Sequence, residues 1–393
     1  MNATKRLDLI PPYLFAELER KIAEKRAEGV DVISLGIGDP DMPTFPAVVA
    51  AGQAALADPS THQYPSNRGR PEFRNALSAF YKRRFGVDID PETEVIPAIG
   101  AKECIFNLSL AFLDPSDVAL ASDPGYPVYT AGPVLAGAEA WKMPLVPSRG
   151  FTPDLAAIPG EILERVKLMF INYPNNPTGA IVPDGFFDEV VEFATRNQIL
   201  VVHDNAYSET TYDGYVAPSF LATPGAKEVG VEVFSLSKGY NMTGWRCAAI
   251  LGDNAYSETT YDGYVAPSFL ATPGAKEVGV EVFSLSKGYN MTGWRCAAIL
   301  GNADAIASYW KLKSNIDSGL FDAVQLAGAV ALGSDIDPEV DKMCEIYQRR
   351  RDLVCAALAE AGVDVSVPKG TIYVWAPIPD GFEDAASYCE VRS

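Results

Sequence analysis

The stretch LMFINYPNNPTGAIVPDGFFDEVVEFATRNQILVVHDNAY (168–207) decides the fold. It opens on one apolar run, LMFINY (168–173), and ends on a second, ILVVH (199–203). Between them FFDEVVEFATRNQ (186–198) repeats apolar residues at i, i+3 and i+4. Short apolar runs without polar alternation suit strands covered on both faces, and the intervening period suits a helix. Strand, helix, strand predicts a parallel pair joined by a crossover, in an α/β fold with a mostly parallel sheet. VALAS (118–122), VEVFSLS (231–237) and RCAAIL (246–251) extend the sheet. Turn clusters LDPSD, SDPGYP and NYPNNPTG close several strands, and ligands of open α/β sheets gather at such carboxyl ends.

Beyond this region the pattern changes. PEVDKMCEIYQRRRDLVCAALAEAG (338–362) predicts a long amphipathic helix, and TIYVWAPI (371–378) a strand. The chain then stops at ASYCEVRS, so the C-terminal part reads as unfinished. Composition supports a folded, two-domain chain: 393 residues, 48% apolar and 21% charged, enough for a sizeable core. The net charge of −19 repels phosphate backbones and anionic lipid, which excludes nucleic acid and membrane as main partners. Two histidines, His62 and His203, leave little for a metal centre or a serine triad, so no metal is expected. The six cysteines lack CxxC spacing and read as reduced thiols of a cytoplasmic protein. No apolar run reaches 18 residues, and the N-terminus carries no signal-peptide core.

Residues 204–252 recur without one change as 253–301. A single perfect tandem pair is not a solenoid, whose repeats diverge and need several copies. A fold can accommodate both copies by looping one out, at about 3–4 kcal/mol of closure entropy. The excess segment carries strand sequences that are adhesive when unpaired.

Chemistry concentrates in a few places. FSLSKGYNMTGWR places Lys238 after a strand, between hydroxyls Ser235 and Ser237 and an arginine, Arg246. Such a lysine suits a Schiff base beside an anion site, and equally a solvated loop. Asp204 ends the run ILVVH with Tyr207 three residues on; it reads as a buried carboxylate awaiting a cation or as a helix cap. Asn176 lies where its amide suits donation to a ring oxygen, and Pro and Gly there equally suit nothing more than a turn. The amides of Ala101 and Lys102, after Gly100 and before an apolar helix, suit a phosphate. Tyr126 in SDPGYPVY suits stacking on a flat ring.

Together with LGIGDPD (35–41), YPSNRGRPEFR (64–74), KSNIDSG (313–319) and PKGTIYVWAPIP (368–379), these segments make the chain resemble the fold-type I, pyridoxal-phosphate-dependent class I/II aminotransferases. KSNIDSGLFDAVQLAG and PKGTIYVWAPIPDGF are most similar to the branch acting on LL-diaminopimelate. The resemblance implies a large domain with a seven-stranded type of sheet over 46–310. It also implies a smaller, incomplete α/β domain from 1–45, with the N-terminal arm, and 311–393. It implies pyridoxal phosphate as cofactor, an amino acid and a 2-oxo acid as substrates, and a homodimer. Lys238 would bond the cofactor and shuttle the proton; Asp204 would hold the pyridine nitrogen protonated. Asn176 and Tyr207 would reach the ring oxygen and Tyr126 would stack. Ala101, Lys102, Ser235, Ser237 and Arg246 would bind the phosphate, and Tyr64 the partner's phosphate. Tyr13, Gly38 and Asn315 match positions near substrate.

Two departures qualify these roles. The arginine that grips the substrate carboxylate in relatives has no counterpart before Ser393, which predicts a poor or inactive enzyme. The repeat also offers a second set: Ser284, Ser286, Lys287 and Arg295. ILVVH leads directly into Asp204, which favours it and Tyr207 over Asp253 and Tyr256. If the excess leaves after Gly252 the site uses Lys238 and Arg246; if it leaves at ATPGAKEVG (222–230), Lys287 and Arg295. Transamination between LL-diaminopimelate and 2-oxoglutarate in lysine biosynthesis is the expected reaction. An aspartate, alanine or aromatic aminotransferase, or a lyase on the same fold, would use the same lysine and aspartate.

Overall fold

The structure, a computed structural model, describes residues 8–10, 14–33, 38, 40–244, 247–251, 280–284, 288–293, 297–301, 309–314, 316–317 and 319–378. Its strands are β1 (Val95–Ala98), β2 (Val118–Asp123), β3 (Glu139–Pro144), β4 (Val166–Ile171), β5 (Leu200–Asn205) and β6 (Gly230–Ser235), then β7 (Tyr240–Gly244), β8 (Ala248–Leu251), β9 (Val280–Ser284), β10 (Gly288–Gly293) and β11 (Ala297–Gly301). The longer helices are α1 (Leu14–Ala27), α2 (Pro46–Ala57), α3 (Pro71–Phe85), α4 (Ala101–Phe112), α5 (Val128–Ala136), α6 (Phe186–Asn197), α7 (Asp322–Ala331) and α8 (Asp337–Glu360).

The sheet runs β3-β2-β4-β5-β6-β8-β1-β11-β9. Pairs from β3 through β6 are parallel, and β8 lies antiparallel to both β6 and β1. All residues of β5 and β6 are buried, as a strand covered by helices on both faces requires. Between β4 and β5, α6 buries Phe186, Phe187, Val190, Val191, Phe193 and Ala194. Acidic Asp188 and Glu189 stand in its first turn and Arg196 in its last, matching the helix dipole. Gln198 in the left-handed conformation (φ 54°) ends it and turns the chain into β5. The α/β class and the crossover unit are as expected. Among the described residues no helix is long and apolar enough to cross a membrane.

Three expectations need correction. The sheet has nine strands rather than seven, because the second copy adds β9 and β11. β8 sets Ile250 opposite Ile96 of β1, and β11 sets the equivalent Ile299 opposite the same residue. Identical sequence thus finds identical partners, and both copies claim one strand. Second, residues 371–378 form no strand: Thr371 takes φ 69° and bends the chain after a single bridge between Thr211 and Gly370. Third, Cys104, Cys344 and Cys355 are free thiols, but Cys247 is disulfide-bonded, with its partner outside the described residues. Cys247 directly precedes β8, where the two copies converge.

β8 and β11 flank β1 on opposite sides, so deleting 253–301 strips β9 and β11 from the rim of the sheet and relieves the protein of the insert's closure entropy. Its thermal midpoint is expected to rise by several degrees, from roughly 3 kcal/mol of closure entropy over the unfolding entropy of a chain this size. A midpoint that falls on deletion, measured by calorimetry, would show that the second copy belongs to the core.

Candidate active site

Asp204 and Lys238 follow from neighbouring strands. Asp204 is the fifth residue of β5, directly opposite Val233 of β6. Lys238 lies just past the end of β6 in a single helical turn, Leu236–Gly239. Parallel register therefore delivers a carboxylate and an amine to the same carboxyl edge of the sheet.

Both groups are buried. Asp204 is 6% exposed and Lys238 fully buried. Tyr129 of α5 donates its hydroxyl to Asp204 Oδ2 at 2.8 Å, while its ring stacks on Phe170 of β4 with centroids 5.4 Å apart. Burial, and next the Asp204 charge, push the Tyr129 hydroxyl well above its ordinary range, so it stays a donor. The Lys238 ammonium donates to the carbonyl of Gly38. Gly38 admits no side chain, since an added Cβ would stand 2.3 Å from Tyr373 Cε1. Tyr373 and Tyr207 bring their hydroxyls to 3.1 Å, and burial raises the Tyr207 hydroxyl as well.

The loop after β4 holds itself rigid with amides. Asn172 Nδ2 donates to the Asp204 carbonyl at 2.5 Å, and its Oδ1 accepts from the Asn176 N–H at 2.6 Å. Thr178 closes the turn onto Asn175 Oδ1 at 2.7 Å. Asn176 is thereby tied to Asp204 through one buried side chain.

Two features suit an anion. Ser235 caps the Leu236–Gly239 turn, accepting from the Ser237 N–H at 3.2 Å. The Ser237 hydroxyl is buried with no hydrogen-bond partner among the described residues, a costly state that a bound acceptor would relieve. α4 begins at Ala101 behind Gly100 (φ 89°) with no side-chain cap, which leaves its first amides pointing outward. Lys102 Nζ lies 5.9 Å from the centre of the Tyr126 ring, and Tyr126 packs edge-on to Tyr129 at 6.0 Å.

The structure brings together Gly38, Asn176, Asp204, Tyr207 and Lys238, and separately links Lys102 with Tyr126 beside Tyr129. It does not bring in Tyr64, which is 89% exposed. Ser284 lies on β9, its side chain not described. Tyr13, Arg246, Ser286, Lys287, Arg295 and Asn315 lie outside the described residues. Sequence reasoning missed Tyr129, Tyr373 and Asn172. Tyr129 was within reach, since Tyr126 and Tyr129 are spaced to share a helical face; Tyr373 and Asn172 carry no comparable signal.

A buried carboxylate, a buried amine, an unsatisfied hydroxyl and an uncapped helix start fit the ring nitrogen, aldehyde and phosphate of pyridoxal phosphate. The comparisons agree. The family described as aminotransferase class I and II matches residues 30–258 and again 251–387. The chain is 46% identical to an LL-diaminopimelate aminotransferase of Desulforudis audaxviator, over 98% of this chain and 86% of the relative. It is 46% identical to one of Moorella thermoacetica, over 100% of this chain and 87% of that one. Among solved structures, apo-BacF from Bacillus subtilis is 34% identical with a TM-score of 0.81, covering 99% of this chain and 87% of that one. A double mutant of the aspartate aminotransferase of Thermus thermophilus is 25% identical with a TM-score of 0.80, covering 100% and 89%.

Replacing Tyr129 by Phe keeps the stack on Phe170 and removes one donor from a buried carboxylate. It is expected to cost about 1.5–3 kcal/mol in urea unfolding. A loss below about 0.5 kcal/mol would mean that Asp204 does not depend on this bond.

Proposed function

The chain belongs to the class I and II aminotransferases, and from that premise we propose that it moves the amino group of LL-diaminopimelate to 2-oxoglutarate, a step of lysine biosynthesis. The observation carrying the substrate is the 42–46% identity, over nearly the whole chain, to several LL-diaminopimelate aminotransferases. As a family member the chain is a pyridoxal-phosphate-dependent transferase. When bound, that group supplies an aldehyde that bonds amines and a pyridinium ring that accepts the electron pair left on the substrate Cα.

The residues divide the remaining work. Lys238 would be the amine that holds the cofactor and the base that moves the proton at the substrate Cα. Its burial would keep water from competing for that proton. Asp204 would face the ring nitrogen and favour its protonated form, and Tyr129 holds Asp204. Asn176 and Tyr207, the latter kept protonated by burial, would donate to the ring oxygen. Tyr126 would stack on the ring. Ser235, Ser237 and the Ala101 and Lys102 amides would take the phosphate, with Arg246 adding charge. Gly38, with Tyr13 and Asn315, would border the substrate.

We assign the site to the first copy. β8 occupies the place between β6 and β1, so the strands on both sides of Lys238 come from one copy. Lys287, Arg295, Ser284 and Ser286 are then surplus. The exposure of Tyr64 supports a homodimer in which it reaches the partner's phosphate. The enzyme would work in the cytoplasm.

Single-turnover mixing with LL-diaminopimelate tests the reaction. It is expected to convert the bound cofactor to its amine form and release about one equivalent of 2-oxo acid per site. L-Aspartate and L-alanine should react at least about tenfold more slowly. Release of ammonia with the cofactor returned unchanged would mark a lyase, and equal rates with aspartate would overturn the substrate.

A further inference from the structure

Behind the site, on the opposite face of the sheet, lies a second buried carboxylate that the transamination chemistry does not use. Glu232 of β6 is fully buried. Its Oε1 accepts from the Tyr81 hydroxyl at 2.9 Å and from Asn205 Nδ2. Its Oε2 accepts from the Ser219 hydroxyl at 2.6 Å and the Phe220 N–H at 2.7 Å, and lies 3.3 Å from His203 Nδ1. Burial alone would raise this carboxyl, but the contact with His203 and the Ser219 and Asn205 hydrogen bonds outweigh it and bring the group below the ordinary carboxylate range. His203 continues the chain of contacts, its Nε2 standing 3.2 Å from the Tyr173 carbonyl at the start of the loop that carries Asn176.

The position of these partners along β5 gives the cluster its meaning. Successive side chains of a strand point to opposite faces. His203 and Asn205 therefore share the face of Glu232, and Asp204 between them points the other way, toward Tyr129. In the register of the two strands His203 stands directly opposite Glu232. One carboxylate thus bonds Asn205 and stands against His203, the residues on both sides of Asp204, from the far face, and is itself anchored to α3 through Tyr81 and to the turn at 219–221. Moving it would leave several buried donors unsatisfied, so it is a stiff anchor.

We propose that Glu232 is a positioning residue: by holding His203 and Asn205 from behind the sheet, it fixes the direction in which Asp204 projects into the site. The inference rests on the role of Asp204 given above. It predicts an asymmetry among the donors to Glu232. Those flanking Asp204 govern the site, whereas those from other elements govern only stability.

Titration of apoprotein with pyridoxal phosphate, followed by visible absorbance, reads the difference. Asn205→Ala and Glu232→Gln should each weaken cofactor binding by at least about tenfold, the scale of supporting residues around bound groups. Ser219→Ala, which removes a hydrogen bond from the same carboxylate on its far side, should lower the thermal midpoint yet leave affinity within about twofold. Asn205→Ala removes one hydrogen bond to Glu232, and Ser219→Ala removes one to Glu232 and one from the Leu221 N–H, so the control is the harsher change and the comparison stands even if Glu232→Gln does not fold. Equal weakening by Asn205→Ala and Ser219→Ala, in proportion to their loss of thermal stability, would make Glu232 merely structural and overturn the proposal. Unchanged affinity in Asn205→Ala would also overturn it. Absence of binding by the unsubstituted protein would instead overturn the cofactor reading, and the positioning role with it.

Discussion

A carboxylate placed at a strand end and nearly cut off from water is the constraint on which this protein depends. Burying a charge costs several kcal/mol unless hydrogen bonds and an opposite charge offset it. At Asp204 the offset is distributed over the fold. β5 and β6 bring the carboxylate to the edge where Lys238 emerges, α5 sends the Tyr129 hydroxyl to one oxygen, and Asn172 fixes the carbonyl. In the proposed function the opposite charge is the protonated ring nitrogen of the cofactor, and a cation arriving with the ligand would account for a buried carboxylate where an apolar residue would fold more cheaply.

The same economy explains the two faces of the sheet. On one face lie Asp204 and Tyr129, and on the other Glu232, His203 and Tyr81. Strand alternation lets a residue on the rear face control its neighbour on the front without entering the site.

How far the sequence could be read follows from this architecture. The crossover unit was legible because its signal is local: LMFINY, FFDEVVEFATRNQ and ILVVH lie within two residues of β4, α6 and β5. That Asp204, Tyr207, Asn176 and Lys238 stand together at the carboxyl edge of the sheet was legible because each lies a few residues from a strand end. TIYVWAPI was misread because β propensity says nothing of whether a partner strand is available. Glu232 read as one residue of an apolar strand, since its partners Tyr81, His203 and Ser219 are far apart in the chain and meet only after folding. The seven-strand expectation failed for a different reason. A duplicated segment carries two copies of every local signal, and no pattern within it tells that β1 accepts one copy on each side.

Assignment of the lysine is therefore the most direct test of the account. Peptide mapping cannot make it, because EVGVEVFSLSKGYNMTGWR occurs identically at 228–246 and 277–295. Substitution can. The cofactor bound to Lys238→Ala and to Lys287→Ala is treated with borohydride, and the pyridoxyl group left attached to protein is quantified by intact mass. A site built on the first copy predicts near-complete loss of attachment in Lys238→Ala and full attachment in Lys287→Ala. The reverse pattern would contradict it and place the working lysine in the second copy.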